Sequence, residues 1–207
     1  MELSEIVEGL KSTDLLRQIP ALEEAAETAK TLAAEAVEAL VVAEFKVPLA
    51  ERMARFGIII KPLLEDLLTK PVDDETKMHA AAVLFELGSR AGLQTLLSIL
   101  HAAVARVELE PGAEPQHVMS LLRKEHKEFL GAILYLGRAH VSEAHDDIER
   151  ILRKWDVRAD PYMAATLVSA MMRTGAAAED LKRKLLEEFP PAWRQQMEKE
   201  LSEPFSQ

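Results

Sequence analysis

Six histidines, set among many carboxylates, are the side chains of this 207-residue chain best suited to metal or acid–base chemistry. His145 is followed directly by Asp146, and His117 lies upstream. An imidazole and a carboxylate can together hold a divalent metal that activates a water molecule. Cysteine is absent, which excludes thiol catalysis, disulfides and thiolate metal sites. The six are His79, His101, His117, His126, His140 and His145.

The His145-Asp146 pair, with His117 upstream, resembles the ligands of the HD-type phosphohydrolases. In that helical family a His, a His-Asp pair and a distant Asp hold a metal beside a phosphate ester. The resemblance implies a metal-dependent phosphohydrolase as an alternative function. A structural explanation is also open, in which Ser142 caps a helix and the helix dipole favours the acidic residues of its first turn.

Seven basic residues form two groups on a chain whose overall charge is negative. Lys and Arg number 25 against 35 Asp and Glu, a net charge of −10. The first group surrounds the end of one predicted helix, where basic side chains can also bind the last carbonyls. The second group lies early in a later helix. The groups are Arg150, Arg153, Lys154 and Arg158, and Lys182, Arg183 and Lys184.

The basic residues beside Trp155-Asp156 resemble the stripe of helical-repeat alkylpurine DNA glycosylases. That resemblance implies a DNA-binding protein or glycosylase as a further alternative. Neutralising phosphates supplies most of the affinity for nucleic acid, so the net negative charge argues against such a partner.

The elements that must position these residues are predicted to be helices throughout. Apolar residues recur at three- and four-residue steps, aromatic residues are only 5% of the chain, and no alternating strand pattern occurs. We predict an acidic, Ala-rich helical hairpin over residues 1–48, with helices near 2–18 and 21–45 separated at Pro20. A helix over 50–68 is predicted to bend at Pro62.

The remaining helices follow from caps and breakers. Asp73 or Asp74 is predicted to cap a helix that ends before Gly88, and Asp160 precedes a helix with Pro161 at its first position. Residues 108–115 hold two prolines and a glycine and are predicted to be a linker. The other helices are expected near 93–107, 116–138, 142–155, 178–188 and 192–202. The predicted core includes Leu84, Leu87, Leu134 and Leu167.

A weak internal repeat relates several of these helices. Residues 73–88 align without gaps with residues 160–175, and each segment is followed by a turn and a Leu-spaced helix. The spacing, near ~40 residues, resembles HEAT-like repeats. The resemblance implies an α-solenoid over residues 49–207, capped by a last helix with Trp193, Met197 and Leu201 on one face. A non-repeating helical bundle is the alternative.

These observations favour a non-enzymatic protein–protein interaction module, an adaptor or an immunity- or inhibitor-type binder. Its concave face would carry the seven basic residues, because they fall at equivalent places in successive repeats. The expected partner is another protein, and the sequence leaves the oligomeric state open. We expect no cofactor, no metal and no membrane span, and a cytoplasmic location. Reversing Arg153 and Arg183 to glutamate is expected to weaken binding and to leave thermal stability nearly unchanged.

Overall fold

A computed structural model describes residues 5–8, 15–44, 46–108 and 127–202. These residues are almost entirely helical and include no strand, which confirms the predicted all-α class. The chain divides into two compact units, Met1–Gly92 and Leu93–Gln207. Most of the predicted linker, the start of the predicted 116–138 helix, His117 and His126 lie outside the described residues. None of the described helices is long and apolar enough to cross a membrane.

The helices of the first unit pack around one apolar core. The first helix, residues 15–42, contacts the two that follow it, residues 47–53 and 61–69, and both of these contact the fourth, residues 74–86. Leu40, Leu64 and Leu84 are fully buried at the centre, whereas Leu87, a predicted core residue, is half-buried. The elements are α1 (Leu15–Val42), α2 (Val47–Met53), a 3₁₀ helix (Ala54–Ile59), α3 (Lys61–Thr69) and α4 (Asp74–Glu86), and α5 (Arg90–Glu108) starts at the end of the unit.

The prolines of the first unit act differently from their predicted roles. Helix α1 continues through Pro20, so the prediction that a helix stops there is wrong. Pro20 is the sixth residue of α1, where its missing N–H removes one backbone hydrogen bond without ending the helix. Pro62 is not a bend but lies in the first turn of α3. The break in the predicted 50–68 helix occurs at Gly57, whose φ of 58° is open to glycine at little cost.

The caps of α4 agree with the prediction. The Asp73 carboxylate accepts hydrogen bonds from the Thr76 backbone N–H (2.8 Å) and hydroxyl (2.6 Å). After α4 the chain turns through Gly88, whose φ is 71°, and the Ser89 N–H donates to the Leu84 carbonyl at 2.8 Å.

In the second unit one helix contacts most of the others. Helix α8 packs against α6, α7 and α10, and Gly137 of α6 lets that helix approach Ala170 of α8 closely. Leu167 is fully buried as predicted, but Leu134 is 36% exposed. Leu134 lies beside the stripe through Ile133 and Leu136 that faces α8, which is why its prediction as core is wrong. The elements are α6 (Lys127–Arg138), a 3₁₀ helix (Ser142–Ala144), α7 (His145–Lys154), α8 (Pro161–Thr174), α9 (Glu179–Glu188) and α10 (Pro191–Ser202).

The structure tests two of the predicted N-caps in this unit. Asp160 caps α8 by accepting from the Met163 N–H at 3.0 Å, as predicted. Ser142 is not an N-cap: it begins a 3₁₀ turn, and its hydroxyl donates to Glu143 at 3.2 Å. Of the predicted apolar face of α10, Met197 and Leu201 are buried and Trp193 is half-buried.

Candidate functional site

Helices α7 and α9 bring the two groups of basic residues side by side. Arg153 of α7 donates through Nη1 to Asp180 Oδ2 (2.7 Å) and through Nη2 to Asp180 Oδ1 (3.2 Å). Lys184 of α9 donates to the carbonyl oxygen of Arg153 at 2.7 Å. The end of α7 therefore lies against α9, and the two groups form one cluster, which we call the α7–α9 cluster.

Arg153 is the most strongly paired member of this cluster. Besides Asp180, it contacts Glu149 one turn earlier, with Nε and Nη2 at 3.1 and 2.7 Å from Oε1. The hydrogen bonds that Arg153 donates to Asp180, and then those it donates to Glu149, raise the pKa of Arg153 above its usual value. The guanidinium in turn lowers the pKa of the Asp180 carboxyl. Two carboxylates therefore surround the charge that the sequence suggested was available to a partner.

Three further members also have partners inside the chain. Lys182 pairs with Glu179 at 2.8 Å, and Arg150 lies 3.6 Å from Asp147. Lys184 is 3.9 Å from Glu188, and its bond to the Arg153 carbonyl satisfies an acceptor in the last turn of α7.

The last three members, Lys154, Arg158 and Arg183, are exposed. None of them forms an ion pair within the part of the chain that the structure describes. Arg158 is held in a defined turn, because the Asp156 carboxylate accepts from the backbone N–H groups of Arg158 (3.1 Å) and Ala159 (3.0 Å). The structure thus separates the seven predicted residues into four paired cations and three available ones.

The histidine and aspartate of the His145-Asp146 pair lie in different surroundings. Nδ1 of His145 is 3.3 Å from both the Met171 carbonyl and the Thr174 hydroxyl, and its ring packs against Gly175, where a Cβ would approach within 2.6 Å. Asp146 is exposed. No group of three His, Asp or Glu side chains suited to a metal occurs among residues 5–8, 15–44, 46–108 and 127–202. His117 is not among them.

Trp155, next to the cluster, is a core residue and is only 2% exposed. Its ring is therefore not available at the surface to stack on a nucleic-acid base, which is how aromatic residues support such binding. The sequence alone did not reveal this, since a Trp beside basic residues fits either a core or a surface position.

A contact that the sequence did not suggest joins α5 to α7. Nδ1 of His101, which is 64% exposed, lies 2.5 Å from Oδ2 of the buried Asp147. Oδ2 nevertheless has no aligned hydrogen bond among the described residues, so the two atoms are in close contact without a directed bond. The two residues lie far apart in sequence and outside any motif, so no local signal links them.

A groove of about 700 Å³ runs along α9 and α10. It combines a small apolar floor with charged side chains of both signs, and it includes two members of the α7–α9 cluster. Its lining residues are Glu179, Lys182, Arg183, Leu186, Glu187, Arg194, Glu198, Leu201 and Ser202.

Comparison of the chain with profiles of known protein families, with curated proteins and with solved structures finds no match.

Proposed function

We propose that the chain is a non-enzymatic protein-binding module, an adaptor or an inhibitor-type binder, that recognises an acidic segment of another protein. The segment would bind at the exposed side of the α7–α9 cluster. The supporting observation is that the exposed side chains of Lys154, Arg158 and Arg183 form no ion pair with any described residue, while their four neighbours are paired.

The difference between the paired and the available cations matters because acidic residues outnumber basic residues in this chain. Its net charge is −10, so a basic surface with no use could readily be neutralised from within. Like charges held close together repel, and this repulsion favours the arrival of an anionic partner. A short acidic protein segment suits the surface better than nucleic acid, because the denser negative charge of a phosphate backbone is repelled more strongly by a chain of net charge −10.

The finer architecture belongs to the same proposal. We take residues 49–207 as a short HEAT-like solenoid in which α7 and α9 are the second helices of successive pairs. The aligned segments 73–88 and 160–175 support this, since both begin at an aspartate N-cap and form α4 and α8. In such arrays the second helices line the concave binding face.

The proposal is tested by reversing the three available cations together. The variant Lys154→Glu, Arg158→Glu, Arg183→Glu should lose the partner that wild-type protein retains from native lysate, once that partner has been identified by mass spectrometry. Affinity for the purified partner should also fall as salt rises from about 0.05 to 0.5 M, because screening weakens exposed charge pairs.

The matched control is Arg138→Glu, Arg173→Glu, Lys199→Glu, which changes net charge equally at three other exposed cations of the second unit. It should keep most of the affinity. An equal loss of affinity in both variants would mean that net charge alone causes the effect. Unchanged binding by the first variant would show that these three cations do not form the binding surface.

A further inference from the structure

We infer that the turn between α2 and α3 is a peripheral membrane-binding tip, in which Ile58 enters the headgroup layer of an anionic bilayer and the basic residues on both sides of it contact the lipid headgroups. The tip consists of Arg52, Arg55, Ile58 and Lys61. It belongs to the first unit and contains no residue of the α7–α9 cluster, so it goes beyond the proposed function and is tested independently of it.

Ile58 protrudes from a segment that is otherwise packed. It is 83% exposed, whereas Phe56 and Ile59 are half-buried against the core and Ile60 is fully buried. The turn depends on Gly57, whose φ of 58° and ψ of −136° form a backbone conformation that other residues avoid. A turn that needs glycine therefore leaves one isoleucine of an apolar run in water.

The charges around Ile58 all have one sign. Arg55 and Lys61 each lie three residues from it, so their Cα atoms are no more than about 11 Å from that of Ile58. No acidic residue occurs between Glu51 and Glu65, although the chain has 35 acidic residues against 25 basic ones. The protruding side chain is thus surrounded in sequence by cations alone.

These cations are available to an external partner. Arg52 and Arg55 are exposed and Lys61 is half-buried, and none of the three forms an ion pair with a residue that the structure describes. Arg52 donates through Nη1 to the Pro48 carbonyl of its own helix at 3.2 Å, which leaves its charge without a counter-ion there. An anionic surface complements this arrangement.

A bilayer is the anionic surface that also suits a protruding aliphatic side chain. A protein partner would have to offer a pocket shaped for Ile58, whereas a bilayer offers an apolar layer at any point below its headgroups. Each Lys or Arg close to an anionic leaflet adds about fivefold to the affinity. The Debye length is about 8 Å in physiological salt, so acidic residues beyond that distance oppose the contact only weakly.

The test is co-sedimentation of the full chain with phosphatidylcholine vesicles that contain either no phosphatidylserine or about 30% of it. The chain should bind the anionic vesicles and be released as the salt concentration rises toward about 1 M. Ile58→Ser should lower the partition coefficient about fivefold or more, because it removes the apolar contact. The double variant Arg52→Glu, Arg55→Glu should lower it at least about tenfold.

The matched controls change the same properties elsewhere in the first unit. Leu32→Gln removes another exposed aliphatic side chain, and Lys70→Glu, Arg90→Glu makes the same change of charge at two exposed cations. Both controls should bind as wild type does. Losses in the controls equal to those in the tip variants would overturn the assignment, as would equal binding to both kinds of vesicle or no binding to either.

Insertion is measured separately by tryptophan fluorescence. The emission of Ile58→Trp should shift to shorter wavelength when anionic vesicles are added, and that of Leu32→Trp should not. No shift in Ile58→Trp would contradict insertion. A wild-type dimer in solution that Ile58→Ser converts to a monomer would show that the tip binds a second copy of the chain, and would overturn the membrane assignment.

Discussion

Arg153 and Asp180, one on α7 and one on α9, are joined by two guanidinium–carboxylate hydrogen bonds of 2.7 and 3.2 Å. Arg153 also contacts Glu149 on its own helix, so a single side chain connects two helices through three nitrogen atoms. This geometry assigns Arg153 a structural role in the cluster and leaves recognition to its exposed neighbours.

Arg153→Glu should therefore lower the melting temperature, contrary to the expectation from sequence that the reversal is neutral. The new carboxylate would lie near Glu149 and Asp180. Three carboxylates that repel one another would then replace a cation hydrogen-bonded to two carboxylates. Thermal melts of Arg153→Glu and Arg183→Glu make the comparison, because both change charge by the same amount. Adding Asp180→Arg to Arg153→Glu should recover part of the loss. Equal melting temperatures for the two single variants would show that the bridge contributes nothing.

The same bridge should weaken in acid. Arg153 holds the pKa of the Asp180 carboxyl below its ordinary value, so folding favours the ionised form. The stabilisation is present above the unfolded pKa of about 3.9 and is lost as the pH falls through the folded pKa. Chemical denaturation between pH 5 and pH 2 should show a smaller loss for Asp180→Asn than for wild type. Parallel curves for the two proteins would contradict this.

Buried His79 should make the fold less stable in mild acid. Its side chain is almost fully enclosed, and this burial lowers the pKa of His79, an effect to which Lys46 adds and which Glu75 and Asp73 partly oppose. The unfolded chain then takes up a proton below about pH 6.5 while the folded chain does not, so stability declines as the pH falls from about 6.5 toward the folded pKa.

The measurement is the free energy of unfolding at pH 7 and pH 5. His79→Gln should reduce the difference between the two values, whatever its effect at pH 7. The control is His140→Asn at an exposed position with φ of 56°, which Asn tolerates. It should leave the difference unchanged, and an unchanged difference in His79→Gln would contradict the assignment.

Leu84 and Leu134 provide a matched pair of core and surface leucines. Leu84 is fully buried and Leu134 is 36% exposed, although the sequence predicted both as core. Leu84→Ala should cost about 2–5 kcal/mol of unfolding free energy, and Leu134→Ala less than about 1 kcal/mol. Urea denaturation of the two variants decides the matter, and similar losses would mean that the exposed face of α6 is assigned wrongly.

Gly137 should be intolerant of even one added methyl group. A Cβ at this position would lie 2.6 Å from Ala170 Cβ and 2.8 Å from Ala170 Cα, so α6 and α8 would have to separate. Gly137→Ala should lower stability by about 1–3 kcal/mol despite the higher helix propensity of alanine. A gain in stability would show that the helices separate at no cost.

Local chemistry explains which predictions succeeded. Asp73, Asp160 and Gly88 act through hydrogen bonds or dihedral angles within a few residues, and the structure has them in their predicted roles. Pro62 was misjudged because a proline in the first turn of a helix is tolerated, and the start of that helix was not evident from the local sequence. Pro20 was misjudged because it removes only one hydrogen bond from a helix of 28 residues, which continues through it.

The sequence was enough to predict which residues form the candidate site, but not which of them form ion pairs within the chain. The sequence identified Arg153 and Arg183 as members of one basic surface. Only the placement of α9 beside the end of α7 decides that Asp180 reaches Arg153, while Arg183 forms no ion pair with the residues that the structure describes. The same dependence on distant neighbours hid the burial of Trp155.

The turn at Asp156 has a consequence for the conformational entropy lost on recognition. Its carboxylate already fixes the backbone N–H groups of Arg158 and Ala159 before any partner arrives. A side chain presented from an ordered backbone loses less conformational entropy when it forms an ion pair, because only its own rotamers remain to be restricted. Arg158 is thus presented from a backbone that its turn already fixes, as Lys154 is from the last turn of α7.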